Sequence, residues 1–184
     1  MSKLSPAMPL GGFEKTWNGF DIREHYHGEL VSLACVSGLE NTLETTFKKA
    51  FGASLPAPNH MHSLNDGLAF WSGQGQYMLL LDGDNIDADR QLSAKLGGAA
   101  YTALQSDGWA SLDISGRKVF DVLERFIPLD LRRAPAGFAA RTSAHHIAVI
   151  VMKFSETEFR LLTPRSSAQS FLDGLLHTAK NVLS

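Results

Sequence analysis

The stretch Leu112-Asp113-Ile114-Ser115-Gly116 decides the fold, because it is the second occurrence of one pattern. Its forerunner, with Ser-Gly placed 78 residues earlier, is Leu33-Ala34-Cys35-Val36-Ser37-Gly38. In both places an apolar or alternating strand gives way to a helical stripe. After the first strand, Leu39, Leu43, Phe47 and Ala50 repeat at helical spacing, and Ser37 with Glu40 has the spacing of a capping box. Two strand-like runs follow, Leu68 to Trp71 and Tyr77 to Leu81, joined by Ser72-Gly73-Gln74-Gly75. Ala88, Leu92 and Leu96 then form a helix that Gly97-Gly98 stops.

The second half repeats this order. Val119, Val122, Leu123, Phe126 and Ile127 make a stripe ended by Pro128. Ile147 to Met152 and Phe159 to Thr163 flank Ser155-Glu156-Thr157 as a second hairpin. Ala168, Phe171, Leu172, Leu175, Leu176, Ala179, Val182 and Leu183 give the clearest helix, with Ser166 and Gln169 as a second capping box. Weaker strand signals lie at Phe20 to His25, His60 to Leu64, Tyr101 to Ser106 and Ala139 to Ser143. The order β-α-β-β-α thus occurs twice, nearly the split β-α-β unit. The expectation is an α+β fold of two related, ferredoxin-like halves with mostly antiparallel sheets, each covered by helices on one side. Residues 1–17, with Pro6, Pro9, Gly11 and Gly12, read as a flexible arm. Residues 18–184 read as one domain, its halves being about 18–104 and 105–184.

Composition bounds the function. The 184 residues are 44% hydrophobic and 20% charged, ordinary globular usage that excludes disordered and fibrous classes. With 17 basic and 19 acidic residues, no positive field attracts nucleic acid. The six-residue run Ile147 to Met152 is far short of a membrane span, and no signal-peptide pattern opens the chain. One cysteine, Cys35, excludes an intrachain disulfide and a cysteine-rich zinc site. A cytoplasmic protein is expected.

Candidate chemistry is sparse. His25-Tyr26-His27 and His60-Met61-His62 each place two imidazoles on one strand face, a metal-ligand spacing, but no carboxylate stands beside them at ligand spacing. Exposed strand polarity explains both pairs. His145-His146 point to opposite faces if they lie in a strand. Cys35 sits in an apolar run and reads as a small hydrophobe rather than a nucleophile. Gly73-Gln74-Gly75 lies between strands, so it fails the dinucleotide fingerprint. Thr163-Pro164-Arg165-Ser166-Ser167 places an arginine and hydroxyls at a helix start, suited to an anion or to ordinary capping. Ser106-Asp107-Gly108-Trp109 reads as a turn. No acid, base or nucleophile set emerges, which favours a binding or interaction module.

Several runs in sequence resemble a known family. Gln105 to Gly116 continues through Val119, Val122-Leu123 and Pro128-Leu129-Asp130-Leu131. Trp71 is followed by Gln76-Tyr77-Met78-Leu79-Leu80, and Phe159-Arg160-Leu161-Leu162-Thr163-Pro164-Arg165-Ser166 by Ala168 and Phe171. Together they resemble the gamma subunit of heterotetrameric sarcosine oxidase, and the matches run from about Phe70 to Leu176. The family's acidic turn before the aromatic is Gln74-Gly75-Gln76 here. The resemblance implies the fold of the folate-binding domain of aminomethyltransferase. It implies a small accessory subunit beside alpha, beta and delta chains, in an enzyme that oxidatively demethylates sarcosine to glycine. No cofactor is expected in this chain. FAD, FMN, NAD, zinc and tetrahydrofolate are expected in the partner subunits. Catalytic, cofactor-binding and metal residues are expected to be none. The interface or motif residues carried over are Asp107, Trp109, Pro128, Asp130, Pro164, Arg165 and Ser166. The alternative is a free-standing tetrahydrofolate-binding or one-carbon-transfer protein.

Overall fold

The computed structural model describes residues 7–184; the first six residues of the expected arm lie outside the described residues. In chain order the elements are β1 (Glu14–Trp17), β2 (Phe20–His25), β3 (Glu29–Cys35), α1 (Glu40–Phe51), β4 (Met61–Leu64), β5 (Gly67–Gly73) and β6 (Gln76–Leu81). They continue as α2 (Ala88–Lys95), β7 (Ala100–Leu104), β8 (Trp109–Ser115), α3 (Val119–Phe126), β9 (Phe138–Ala144), β10 (Ile147–Lys153), β11 (Glu158–Pro164) and α4 (Ala168–Leu183). All four helices fall on the stripes read from the sequence, and the four weaker strand signals are strands too.

The chain divides into two compact units. One comprises His27–Ser106 and Gly137–Ala140 and holds a five-stranded sheet of order β4-β5-β6-β3-β7. The other comprises the chain up to Tyr26, Asp107–Ala136 and Arg141–Ser184, and holds a six-stranded sheet of order β1-β2-β8-β11-β10-β9. Every pairing with a recorded register is antiparallel. Each unit contains the expected β-α-β-β-α order with further strands added.

The boundary near residue 105 marks only part of this division. Residues 18–26 do not join the five-stranded unit. β2 pairs with β8, through Ile22 on Ile114 and Arg23 on Asp113. In the five-stranded unit that same place, beside β3, is taken by β7. Each repeat thus begins with a strand that pairs into the other unit's sheet. Ile22 and Phe20 are fully buried, which explains why an alternating run such as Phe20-Asp21-Ile22 needs a sheet partner. Glu14–Trp17, expected in a flexible arm, is instead strand β1 on β2. The Glu24 carboxylate further accepts the N–H groups of Leu10 and Gly12, both at 2.7 Å.

The backbone bonds correct the register of the repeat. Cys35 N–H donates to Gly75 at 2.8 Å, and Gly116 N–H donates to Thr157 at 2.9 Å. Cys35 and Gly116 are therefore equivalent, three residues out of step with the two Ser-Gly pairs. In the corrected register Val31 matches Leu112 and Leu33 matches Ile114, all fully buried.

The helices cover one sheet face in each unit. In the five-stranded unit Val31, Leu33, Ala69 and Leu79 of the sheet pack with Leu43, Phe47 and Phe51 of α1 and Ala88 and Leu92 of α2. Burying one such side chain as fully as Phe47 stabilises by about 2–3 kcal/mol. In the six-stranded unit α3 buries Val119, Phe120, Val122, Leu123 and Phe126, and α4 buries Phe171, Leu172 and Leu175. Phe126 meets Phe171 edge-on at 5.1 Å. The capping boxes do not close at either helix. Glu40 accepts Gly38 N–H, while Gln169 turns to Asp173, and a short 3-10 turn, Arg165–Ser167, precedes α4.

Candidate functional site: a charged row across the six-stranded sheet

β8 alternates, so Leu112 and Ile114 face the helices while Ser111, Asp113 and Ser115 face away. Register then fixes the neighbours of Asp113. Arg23 lies beside it on β2 and Arg160 beside it on β11. Arg160 makes a two-pronged contact, Nε to Oδ1 at 2.7 Å and an Nη to Oδ2 at 3.2 Å. His25 Nδ1 stands 3.1 Å from Oδ2, and an Arg23 Nη stands 3.5 Å from the same oxygen. Arg160 and Asp113 are mostly shielded, while Arg23 is 65% exposed. Burial of Asp113 opposes its charge. Hydrogen bonds and charge from His25 and Arg160 outweigh burial and hold its carboxyl well below the usual carboxylate range. The row borders a concavity of ≈ 390 Å³, whose walls also carry Glu14, Asp21, Glu158 and the ring of Phe154.

Ser111, His25 and Asp113 have the residue types of an acyl-transfer triad. Ser111 is the register partner of His25 and lies on the same face as Asp113. The geometry is not that of a triad. Ser111 Oγ is buried at 1% exposure with no hydrogen-bond partner, whereas a nucleophilic serine must donate to the imidazole and reach substrate. Asp113 also pairs with Arg160, so its carboxylate is shared between the guanidinium and the imidazole. The arrangement fixes three strands and presents an exposed arginine.

The other sequence candidates are placed as follows. Trp109 begins β8 and is half-buried; it pairs in register with Pro164, the last residue of β11. These are the two motif residues that the sheet brings together. Asp107 is exposed in the 3-10 turn Ser106–Gly108. Pro128 is exposed just past α3, and Asp130 accepts Arg133 N–H at 3.2 Å. Arg165 is exposed and donates to the carbonyl of Ala7 at 3.1 Å, and Ser166 is exposed.

Among the described residues no cluster of three or more histidine, cysteine or acidic groups can hold a metal. His60 and His62 each place Nδ1 on a backbone carbonyl, of Pro58 at 2.9 Å and Ser54 at 3.1 Å. His145 and His146 form the β9–β10 turn, both with positive φ, rather than facing opposite ways in a strand. Burial, then the charge of Glu40, raises the Cys35 thiol above its ordinary value, the opposite of the shift that activates a nucleophile.

Sequence reading missed Lys153. It ends an apolar strand yet is fully buried, with Nζ donating to the carbonyls of Leu131 (3.0 Å) and Ala134 (2.8 Å) and 2.7 Å from Glu156. It ties down the Pro128-Leu129-Asp130-Leu131 segment. Arg160 also carried no separate signal: its partner is 47 residues away in sequence, and only the pairing of β8 with β11 brings the two together.

The same architecture occurs in two enzymes. A chain of the heterotetrameric sarcosine oxidase from Corynebacterium sp. U-96, solved with pyrrole 2-carboxylate, superposes with a TM-score of 0.78 at 22% identity, covering 90% of this chain and 86% of that one. The glycine cleavage system aminomethyltransferase T from Bartonella henselae superposes with a TM-score of 0.70 at 12% identity, covering 93% of this chain and 57% of that one. The fold is shared with both. In sequence, an aminomethyltransferase of Deinococcus deserti is 27% identical over 125 residues, 65% of this chain. The chain spans 35% of the length of that relative. No protein-family model matches the chain. These likenesses agree with the resemblance read from the motifs. Among the described residues no helix is long and apolar enough to cross a membrane.

Proposed function

We propose that this chain is a gamma-type accessory subunit of a sarcosine oxidase complex, working with alpha, beta and delta chains. The observation that carries the reading is reciprocal coverage. The likeness to the sarcosine oxidase chain extends over 90% of this chain and 86% of that one, at a TM-score of 0.78. The site chemistry supports it, since Asp113 is spent on arginine and histidine partners and Cys35 is held as a thiol. On this reading the flavins, NAD, zinc and folate belong to partner chains, and the compartment is the cytoplasm. Asp107, Trp109, Pro128, Asp130, Pro164, Arg165 and Ser166 contribute to the subunit interface.

Co-expression with the three other subunits tests this. The chain co-purifies in mild salt, and the complex oxidises sarcosine only when it is present. Assembly and full activity of the other subunits without it overturn the proposal. Arg165→Ala weakens complex formation more than it lowers the melting temperature of the isolated chain. Equal losses assign Arg165 to holding Ala7 instead.

The second reading, a tetrahydrofolate-binding or one-carbon-transfer protein, is favoured by the sequence match to an aminomethyltransferase. Against it, the carboxylate of the charged row is already ion-paired and does not stand free for a ligand. Calorimetry with tetrahydrofolate decides it: heat saturating at one equivalent supports this reading, and no heat removes it.

A further inference from the structure

The concavity of ≈ 390 Å³ beside the charged row lies within one unit, and two register rows of the six-stranded sheet line it. The first row is Glu14–Arg23–Asp113–Arg160. The second is Thr16–Asp21–Ser115–Glu158, two residues along each strand and therefore on the same face. The first row alternates in sign and balances. The second sets a carboxylate on either side of a serine and carries no cation. Among the described residues neither Asp21 nor Glu158 has an ion pair. The Glu158 carboxylate accepts the Ser155 hydroxyl at 3.3 Å.

Arg23 is the cation with donors to spare. Arg160 already holds both oxygens of Asp113, which leaves Arg23 one contact at 3.5 Å on a side chain 65% exposed. A guanidinium carries five N–H donors in a fork that matches a carboxylate. The sister sheet forms without any of this second row. At the places of Asp21, Ser115 and Glu158 it has Tyr101, Ala34 and Gln76. Charges that the fold does not need, set around a concavity, point to a ligand.

Charge and spacing define that ligand. The walls hold four carboxylates against two guanidiniums, a surplus of two negative charges that repels phosphates and other anions. The volume suits a small molecule. Asp21 and Arg23 are two residues apart on β2, about 6.6 Å along the strand. An ammonium and a carboxylate on one carbon bridge that gap, with a charge-assisted hydrogen bond of about 2.8 Å at each side. Asp21 and Glu158 stand two strands apart, about 9.5 Å. A short aliphatic stem ending in a second cation spans that distance, and the ring of Phe154, 38% exposed, offers the stem an apolar wall.

We propose that this cavity binds a basic α-amino acid, its carboxylate on Arg23, its α-ammonium on Asp21 and its side-chain cation on Glu158 beside the Phe154 ring. The site lies in one unit, so it goes beyond the accessory-subunit reading and does not depend on it.

Calorimetry of the full chain with L-lysine at low salt tests the proposal. L-Lysine saturates at one equivalent. L-Norleucine, which lacks the terminal ammonium, and 1,5-diaminopentane, which lacks the carboxylate, each bind at least about tenfold more weakly. L-Glutamate gives no heat. Glu158→Gln lowers lysine to the affinity of norleucine and leaves norleucine unchanged, and Arg23→Ala lowers lysine to the affinity of the diamine. Both side chains are exposed, and the melting temperature of each variant checks that it is folded. If a variant fails to fold, the four ligands decide alone. No saturation with lysine by about 10 mM overturns the proposal. So does norleucine, the diamine or glutamate binding as tightly as lysine, or a lysine affinity that either folded variant leaves at the wild-type value.

Discussion

The two units share the order β-α-β-β-β-α, yet the sheet faces turned away from their helices differ. In the six-stranded unit the register row Arg23–Asp113–Arg160 crosses β2, β8 and β11. At the same place in the five-stranded unit the row is Ala103–Ser32–Met78 across β7, β3 and β6. One row is an ion network, and the other closes with small and apolar groups. The fold therefore does not require the network, because the sister sheet forms without it. Desolvating Asp113 and Arg160 costs free energy that only good geometry offsets. The charged row thus adds a fixed charge pattern to a sheet that needs none.

The largest test of the comparison uses the turns that join the first two hairpin strands. In the five-stranded unit the turn Asn65-Asp66 ends on Gly67, at φ 140°. A Cβ there stands 1.9 Å from the Leu80 carbonyl oxygen, a clash with backbone that no rotamer relieves. Gly67→Ala should cost about 4 kcal/mol in urea unfolding. A cost under about 1 kcal/mol means that this turn is not held by β6, and the equivalence of the two hairpins loses its basis.

The charged row comes next. Asp113→Ala leaves the shielded Arg160 without a counter-charge and should destabilise by about 2–3 kcal/mol. Transplanting the sister row (Arg23→Ala, Asp113→Ser and Arg160→Met together) should recover at least half of that loss, because no unpaired charge remains. A triple variant less stable than Asp113→Ala shows that the rows are not interchangeable.

Acid separates the ionic part of that effect. The folded Asp113 carboxyl is held below its ordinary value. The stability it contributes is therefore complete above the unfolded pKa of about 3.9 and is lost as pH falls toward the folded value. The melting-temperature gap between wild type and Asp113→Asn should be constant from pH 7 to about 5 and should shrink below about 4. A gap as large at pH 3 as at pH 7 assigns the effect to shape rather than charge.

Much of the fold was legible because periodicity is local. The stripes bury Leu43 and Phe47 of α1, Ala88 and Leu92 of α2, the named face of α3, and Phe171, Leu172 and Leu175 of α4, while Ala50 of the first stripe is exposed and Phe51 is buried instead. The exchange of first strands was not legible, since Ile22 facing Ile114 and Leu33 facing Thr102 depend on pairings far apart in sequence. The site failed for the same reason. Asp113 stood out only as the polar member of an alternating strand, and its meaning came from Arg160 and His25 on other strands. Lys153 was hidden because a lysine after six apolar residues reads as the strand's exposed end. Its amine instead reaches two carbonyls that follow α3.

The smallest expected effect returns to the hairpin turns. Where the five-stranded unit has Asn65-Asp66, the six-stranded unit places His145 and His146 at φ 49° and 66°. Two-residue turns with both residues in the left-handed region favour Asn-Gly, since a side chain there crowds its own backbone. The His145 ring offsets part of that strain by lying against Phe126, 5.0 Å between centroids. His146 is exposed and has no such ring contact. His146→Gly should therefore stabilise by about 0.5–1 kcal/mol, read as a rise in urea midpoint with an unchanged slope. His145→Gly gains the same backbone relief but loses the stacking, and should be neutral or destabilising. If both substitutions stabilise equally, the ring contact contributes nothing, and the histidine turn is strained without compensation.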